Sequence, residues 1–290
     1  MRESFLKYLQ FERRYSPHTI RSYSDDLIAF ETFLNTEFDS VKTENAQTFE
    51  IRQWLFSLTS SGLAPRTVNR KLATLRSYFK FLLRNEIIAQ NPMGPIRPLK
   101  VNRRLPQFVT ENEMVRMLDQ FEFDDSREGR RDRLVMEMLY GTGIRLAELI
   151  ALNVEDVSLT AGTLRVLGKR SKERLIPYPS GLQPLLEKYL EEHPQAYENG
   201  PLIVTDKGER TYPMFIYRIV NHYLKTFTTA DKKSPHVLRH TFATHLLNKG
   251  AELNAVKDLL GHANLAATQV YTHNSIEKLK AVYEKAHPKA

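Results

Sequence analysis

The chain has 290 residues, 41% of them hydrophobic, a length and composition sufficient for two domains with a core in each. It has no cysteine, which excludes disulfides and cysteine-ligated zinc sites and fits a reducing compartment. No apolar run reaches membrane-spanning length, and Met1-Arg2-Glu3 does not lead into a signal peptide, so we expect a cytoplasmic protein without membrane insertion.

The net charge of +8 is concentrated in one segment. Between residues 60 and 104, ten Lys or Arg stand against one acid, Glu86, which gives +9 and leaves −1 for the rest of the chain. A charge run is usually a solvated helix face, but here the basic residues recur at helical spacing with almost no compensating acid. We therefore predict contact with the backbone of double-stranded DNA. The predicted contact residues are Arg66, Arg70, Lys71, Arg76, Lys80, Arg84, Arg103 and Arg104.

Four amphipathic helices are predicted in residues 1–91. The first lies near Phe5 to Phe11, and the third lies around Trp54. The second and fourth open with Pro17 and Pro65, because proline is favoured as the first helical residue. Hydrophobic spacing predicts their inward faces. These are Tyr23, Leu27, Phe30 and Phe33 in the second helix, and Val68, Leu72, Leu75, Phe79 and Leu82 in the fourth. Residues 1–91 are therefore predicted to form a helical DNA-binding domain.

Residues 92–108 are predicted to be a basic linker. Pro92, Pro95, Pro98 and Pro106 exclude a regular helix there. A positively charged linker between two DNA-binding domains suggests a clamp. Thr110 and Glu113 then form a capping box that marks the start of a second domain, residues 109–290.

The second domain is predicted to be mainly helical with one β-hairpin. Helices are predicted for residues 134–140, 145–152 and 252–260, and residues 163–167 and 174–177 form the hairpin around Gly168 to Lys172. Ser234 and Pro235 open a further helix. Its predicted buried stripe is Val237, Leu238, Phe242, Leu246 and Leu247, with His236, Arg239 and His240 on another face. The fold class predicted for the whole chain is mainly α.

Five residues of this domain have the composition of a phosphate-binding site that carries its own nucleophile: Arg145, His236, Arg239, His262 and Tyr271. An arginine fork holds two phosphate oxygens and stays charged at physiological pH, so two forks would stabilise a pentavalent phosphorane. A tyrosine is a plausible covalent nucleophile if a base or a strong field assists it, and the two histidines are placed to help. Taken singly, each residue has a simpler interpretation, such as an ion pair between Arg145 and Glu148. The five together favour catalysis.

No metal or cofactor is implied by these residues. His240 and His245 are accompanied by no cysteine and no His-Glu-x-x-His pattern, so we interpret His245 as structural and His240 as a residue that orients a neighbour.

The same motifs resemble those of the tyrosine recombinases, in particular the bacterial Xer members. Four boxes occur in the family's order and at similar separations. They are Thr142-Gly143-Ile144-Arg145-Leu146-Ala147-Glu148-Leu149, His236-Val237-Leu238-Arg239-His240, Leu259-Leu260-Gly261-His262 and Tyr271-Thr272-His273. The resemblance extends over nearly the whole chain. It implies a SAM-like amino-terminal domain and a catalytic domain that cuts and rejoins DNA through a 3′-phosphotyrosyl link to Tyr271.

The resemblance also implies a general acid in the hairpin. The family uses a hairpin lysine to protonate the departing 5′-oxygen, and Lys169 stands in that position. Arg170 replaces the glycine usual in Xer relatives, which leaves Lys172 as a second candidate.

The partners implied by resemblance are a homo-tetramer or hetero-tetramer with a paralogous recombinase on DNA and a septal DNA translocase. The apolar stripe Ile276, Leu279, Val282 and Tyr283 is expected either to pack on its own domain or, as in the family, on a neighbouring subunit. Three functions remain open: chromosome dimer resolution, integration or resolution of a mobile element with the same chemistry, and non-catalytic DNA binding. Relaxation of DNA by a type IB topoisomerase is chemically related.

Overall fold

The computed structural model describes residues 1–39, 41–101, 107–168, 173–192, 199–261, 281, 283 and 285–289. The chain divides into two compact units, Met1–Arg104 and Leu105–Ala290, each with its own hydrophobic core. The mainly α-helical fold expected from the sequence is confirmed. No helix in this part of the chain combines the length and the apolar character needed to cross a membrane. The finer division at residues 91/92 and 108/109 stays a prediction.

The described residues of the first unit contain four α-helices: α1 (Arg2–Lys7), α2 (Pro17–Glu37), α3 (Thr48–Ser60) and α4 (Pro65–Arg84). A π-helical turn, Tyr8–Glu12, continues α1, and a 3-10 turn, Thr43–Asn45, precedes α3. α2 begins as predicted, because the Ser16 hydroxyl accepts a hydrogen bond from the Thr19 N–H at 3.3 Å and Pro17 follows as the first helical residue. All five residues expected on the inner face of α4 are buried. The four predicted helices are confirmed.

The chain that follows α4 stays attached to the first unit. Met93 and Ile96 are buried in its core. The Ile96 carbonyl accepts a hydrogen bond from Arg76 at 2.7 Å, and the Asn69 side chain makes two hydrogen bonds with the Leu99 backbone, at 2.9 and 2.8 Å. The proline-rich segment predicted as a linker is therefore anchored to α4 as far as Leu99.

The second unit contains the remaining elements. They are α5 (Glu111–Val115), a π-helical turn (Arg116–Gln120), α6 (Arg127–Thr142), α7 (Leu146–Ala151), a 3-10 turn (Val154–Asp156), β1 (Val157–Ser158), β2 (Thr163–Leu167), β3 (Glu173–Pro177), α8 (Leu182–Glu191), α9 (Pro213–Phe227), α10 (Pro235–Asn248) and α11 (Leu253–Leu260). The predicted capping box at α5 is confirmed: Thr110 accepts from the Glu113 N–H at 3.3 Å, and Glu113 accepts from the Thr110 N–H at 2.8 Å.

The three strands form one antiparallel sheet in the order β1-β2-β3. In the register of β2 and β3, Leu164 pairs with Ile176 and Val166 pairs with Arg174. The predicted hairpin strands are thereby confirmed. The short strand β1 was not predicted, because two residues carry too little periodicity to be recognised.

The core of the second unit is organised around α6. Residues 134–142 of this helix are all buried, and α6 packs against α7, α8, α9 and α10. Neither α8 nor α9 was among the predicted elements. In α10, Val237, Leu238, Phe242 and Leu246 are buried as expected, but the placement of Leu247 in this stripe was wrong, since it is 39% exposed. Leu247 lies nine residues after Leu238, about two and a half helical turns, and therefore points to the opposite side.

Candidate active site

Both predicted catalytic arginines and one of the two predicted catalytic histidines lie in the described part of the second unit. Arg145 is the residue immediately before α7, Arg239 lies in α10, and His236 lies one turn earlier in the same helix. The predicted residues Lys169, His262 and Tyr271 lie outside the described residues, as do Arg103 and Arg104 of the predicted linker.

Arg145 is positioned by a glycine turn. α6 ends at Thr142, and Gly143 follows with a left-handed φ of 61°. A Cβ at Gly143 would lie 2.4 Å from the Phe242 ring, so both the backbone conformation and the packing require glycine. The chain then turns back, and Arg145 starts α7 with an extended backbone.

Arg239 joins two helix ends. Its Nη1 donates to the Gly143 carbonyl at 2.6 Å and its Nη2 donates to the Leu260 carbonyl at 2.5 Å. The residue is 9% exposed. Burial, and then repulsion by Arg145, lowers the pKa of Arg239 to about 10, so the guanidinium still carries its charge at neutral pH.

Three arginines meet at the carboxy-terminal end of α11. The consecutive carbonyls of Leu259, Leu260 and Gly261 accept hydrogen bonds from Arg174 Nε at 3.3 Å, Arg239 Nη2 at 2.5 Å and Arg145 Nη2 at 3.0 Å. These carbonyls have no partner within a helix, and the end of the helix carries a partial negative charge. The end of α11 therefore holds the three guanidinium groups together, directly before His262 in the chain.

Glu148 is the acidic centre of this cluster. Its carboxylate accepts from the Arg145 N–H and Nη1, both at 2.8 Å, and from Arg174 Nη1 and Nη2 at 2.9 and 2.8 Å. Burial by itself would raise the pKa of Glu148, but the hydrogen bonds from Arg174 and Arg145 outweigh it and lower the pKa to about 2. Glu148 is thus ionised at any physiological pH.

Arg174 and Glu148 were not predicted as members of the site. From the sequence, Arg174 was predicted only to lie in a strand. Glu148 was considered only as an ion-pair partner of Arg145. One signal was available: Arg174 is two residues from Ile176 in a strand, so both point to the same face, and that face is buried. A buried arginine requires a partner.

The histidines of α10 differ in their surroundings. His236 is exposed in the first turn, whereas His245 is buried and its Nδ1 lies 2.9 Å from the Tyr140 hydroxyl. Burial lowers the pKa of His245, in keeping with the structural role expected for it. Among the residues that the structure describes, no three His, Cys, Asp or Glu side chains are grouped so as to hold a metal ion.

The basic residues of α4 form a second candidate site, in the first unit. Arg66, Arg70, Lys80 and Arg84 are exposed, whereas Lys71 and Arg76 are partly buried. Asp26 of α2 supplies an acid that the local sequence lacks: it pairs with Arg70 at 2.5 Å and with Lys71 at 3.0 Å. The Arg70 side chain nevertheless remains 51% exposed.

The arginine cluster has the charge and geometry of an anion site. Three guanidinium groups stand against one carboxylate, and Arg145, with a side chain 28% exposed, is the most accessible of the three. Two buried arginines and one accessible arginine, all fixed by hydrogen bonds, suit a phosphate group because little reorganisation is needed when its charge increases during a reaction.

Each of the two units matches a known protein family. The phage integrase amino-terminal SAM-like domain matches residues 3–86, and the phage integrase family matches residues 107–278. The tyrosine recombinase XerC of Staphylococcus carnosus is 40% identical over 292 residues, covering 100% of this chain and 98% of its own. The tyrosine recombinase XerC of Chlorobaculum parvum is 36% identical over 316 residues, covering 99% of this chain and 94% of its own.

Solved structures share the fold. The XerH recombinase bound to palindromic difH substrate, in a post-cleavage complex, has a TM-score of 0.74 at 24% identity, covering 97% of this chain and 83% of that one. The Tn1549 transposon integrase in complex with transposon right-end DNA has a TM-score of 0.74 at 18% identity, covering 97% and 98%. The chain therefore belongs to the phage integrase family, resembles its Xer members over its full length, and is a tyrosine-type site-specific recombinase that acts on DNA.

Proposed function

We propose that this recombinase exchanges DNA strands with Tyr271 as its nucleophile. The tyrosine attacks a phosphodiester and forms a 3′-phosphotyrosyl link while a 5′-hydroxyl departs, and the 5′-hydroxyl of a partner strand then attacks that link. The ester bond is conserved at each step, so no ATP is consumed. No cofactor is assigned to the reaction.

The arginine cluster is the observation that carries this proposal. We assign Arg145 and Arg239 to the non-bridging oxygens of the scissile phosphate, where they stabilise the phosphorane. Their support is the hydrogen-bonded framework of Glu148, Gly143 and the end of α11, which orients both groups before DNA arrives.

The proton transfers are assigned to residues around the cluster. His236 and His262 position the phosphate or deprotonate Tyr271, and Lys169 protonates the departing 5′-oxygen, with Lys172 as its alternative. The position of His236 one helical turn before Arg239 supports its inclusion. The departing alkoxide is strongly basic and needs a proton donor.

DNA affinity is assigned to the predicted basic contact residues of the first unit, which run from Arg66 to Arg104. Four of the eight predicted contact residues are supported by their exposure on α4: Arg66, Arg70, Lys80 and Arg84. The successive spacings of these four residues are 4, 10 and 4, close to one, three and one helical turns, so they lie along one side of the helix.

The biological role that we propose is resolution of chromosome dimers at a terminus site, in the cytoplasm, before cell division. The full-length similarity to relatives named XerC supports it. The proposed assembly is a tetramer on DNA, formed with itself or with a paralogous recombinase and activated by a septal DNA translocase.

The carboxy-terminal segment bears on this assembly. Tyr283 is 2% exposed and donates a hydrogen bond to the Gly141 carbonyl at 2.5 Å, and Lys289 pairs with Asp119 at 2.8 Å. The described end of the segment therefore packs on its own unit in a single chain. Docking on a neighbouring subunit would require the same contacts to form between chains.

Removal of residues 276–290 tests the tetramer. We expect the shortened chain to bind a single DNA site but to lose cooperative assembly, which native gel shifts and sedimentation would measure. Tyr283→Ala in the full chain should give the same defect in weaker form. Unchanged cooperativity in both variants would contradict the tetramer contact.

The nucleophile is tested by trapping covalent protein–DNA adducts in native cells and sequencing the attached DNA. Tyr271→Phe is expected to bind DNA and form no adduct, because the phenolic oxygen is lost, whereas Tyr217→Phe, which removes an exposed hydroxyl on α9, should behave as wild type. Adducts at one chromosomal locus near the replication terminus would support dimer resolution. Adducts at mobile-element ends would instead assign an integrase, and adducts formed by Tyr271→Phe would remove this residue from the reaction.

A further inference from the structure

Arg174 belongs to the arginine cluster but has no role in the reaction proposed above. It lies in β3, opposite Val166 of β2, and is 6% exposed. Placing a charged side chain there costs desolvation free energy, which only well-formed partners offset. Its partners therefore indicate what it does.

The contacts of Arg174 join three elements. It donates two parallel hydrogen bonds to Glu148 of α7, and its Nε reaches the Leu259 carbonyl of α11. The guanidinium also packs against Gly261, where a Cβ would lie 3.0 Å from three of its atoms. The absence of a side chain at Gly261 thus leaves room for Arg174 at the end of α11.

The charges explain why two arginines share one carboxylate. If Glu148 were paired with Arg145 alone, its negative charge would cancel that of Arg145 and oppose binding of a phosphate. Arg174 occupies both oxygens of Glu148 in the fork geometry that is strongest for a carboxylate. The carboxylate is then neutralised from the strand side, and it still orients Arg145 through the hydrogen bond to Nη1.

We infer that Arg174 is a positioning residue for DNA cleavage: it neutralises and orients Glu148, so that Arg145 keeps its positive charge and its direction for the scissile phosphate. The inference rests on the proposed role of Arg145 in binding that phosphate. Arg174 acts through Glu148 and needs no contact with DNA.

A purely stabilising ion pair is the competing explanation, and the chain offers a matched control. Arg131 is also buried in the second unit, 7% exposed, and pairs with Asp132 at 3.0 Å and with Asp206. None of these residues contacts the arginine cluster in the described structure. Arg131→Gln therefore reports what the loss of a buried arginine does to the fold alone.

The test is single-turnover cleavage of a nicked duplex that carries the DNA sequence recovered from trapped adducts, at saturating protein. For Arg174→Gln we expect adduct formation per folded molecule to slow by roughly 100-fold, the scale of lost supporting and transition-state contacts, with little change in DNA affinity. Adding Glu148→Gln should restore about 10-fold of this rate, because it removes the uncompensated carboxylate. Arg131→Gln should lower the melting temperature and leave the rate per folded molecule unchanged.

A second substrate separates positioning from stability. A methylphosphonate at the scissile position replaces one charged oxygen with a methyl group, so less positive charge is needed. The penalty of Arg174→Gln should shrink by about 10-fold on this substrate if Arg174 acts through the charge of Arg145. If Arg174→Gln does not fold, Arg174→Lys keeps the charge without the fork, and it should show a smaller penalty with the same dependence on substrate.

The outcomes are distinguishable from failure of the proposed function. Equal penalties on the two substrates, or a wild-type rate per folded molecule in Arg174 variants, would overturn the inference while Tyr271-dependent adducts persist in wild type. Absence of those adducts in wild type would overturn the proposed function itself.

Discussion

The two basic regions of this recombinase use their cationic side chains in opposite ways. On α4, Arg66 and Lys80 are exposed, and Arg70 keeps half of its side chain in solvent while it pairs with Asp26. In the second unit, Arg174 and Arg239 are buried, and their hydrogen bonds go to a carboxylate and to backbone carbonyls.

With the roles proposed above, this difference separates DNA affinity from catalysis of cleavage. Exposed cations attract the DNA backbone at long range, and salt screens them. A buried guanidinium fixed by carbonyls is screened much less and needs no reorganisation when charge develops on the phosphate. Substitutions in the two regions should therefore change different measured quantities.

The largest effect is expected for Arg239→Ala. Loss of one preorganised cation at the phosphate should reduce single-turnover cleavage by about 100-fold to 1,000-fold. The slope of log K against log salt should fall by no more than about 1 in magnitude, because Arg239 is assigned to a single phosphate. Single-turnover kinetics and a salt titration measure the two quantities. If Arg239→Ala lost DNA affinity but kept the cleavage rate, Arg239 would act like the exposed basic residues of α4. The proposed distinction between the two regions would then be wrong.

An intermediate effect is expected for Gly143→Ala, compared with Gly62→Ala in the first unit. Both glycines have a positive φ, but a Cβ at Gly143 would lie 2.4 Å from the Phe242 ring, whereas nothing lies within 4 Å of one at Gly62. Gly62→Ala should lower the free energy of unfolding by about 1–2 kcal/mol, for backbone strain alone. Gly143→Ala should cost about 1–3 kcal/mol more, because the Phe242 contact must shift.

Calorimetry of the two alanine variants measures this difference. The Gly143 variant should also cleave DNA more slowly per folded molecule, since the Gly143 carbonyl holds Arg239. Equal destabilisation of the two variants would show that Phe242 yields easily and that the turn does not depend on it.

The smallest effect is expected for Arg66→Ala combined with Lys80→Ala. If each residue contacts one phosphate, DNA affinity should fall, and the slope of log K against log salt should decrease by about 2 in magnitude. Cleavage at saturating protein should be unchanged.

Lys71→Ala is the matched control on the same helix. Its side chain is 14% exposed and bound to Asp26, so its loss should alter stability more than the salt slope. If Lys71→Ala changed the slope of log K against log salt as much as the double variant, exposure of a side chain would not predict whether it contacts DNA.

Much of the fold followed from local patterns. The prolines at Pro17 and Pro65, the capping box at Thr110 and the hydrophobic spacing of α4 predicted helices that the structure has, because capping and amphipathic spacing act within one or two turns. The prediction that Leu247 lies in the buried stripe of α10 was wrong, because its spacing from Leu238 puts it on the opposite side of the helix.

α9 and the short strand β1 were not predicted. α9 does begin with a proline, Pro213, and has a buried face of five residues, so its local pattern was recognisable. β1 is different in kind, because two residues pair with β2 only once that strand is in place. Pairing between strands is a property of the folded chain.

The family of this protein could be recognised from its residues alone. The order and spacing of Arg145, the His-x-x-Arg box at 236–239, His262 and Tyr271 were sufficient to identify a tyrosine recombinase, because residue types and motifs survive without coordinates. The hydrogen bonds that hold the arginines could be learned only from the folded chain. Glu148 and Arg174 are 26 positions apart, and Arg239 reaches a carbonyl 96 positions away, so these contacts exist only once α7, β3, α10 and α11 have packed together.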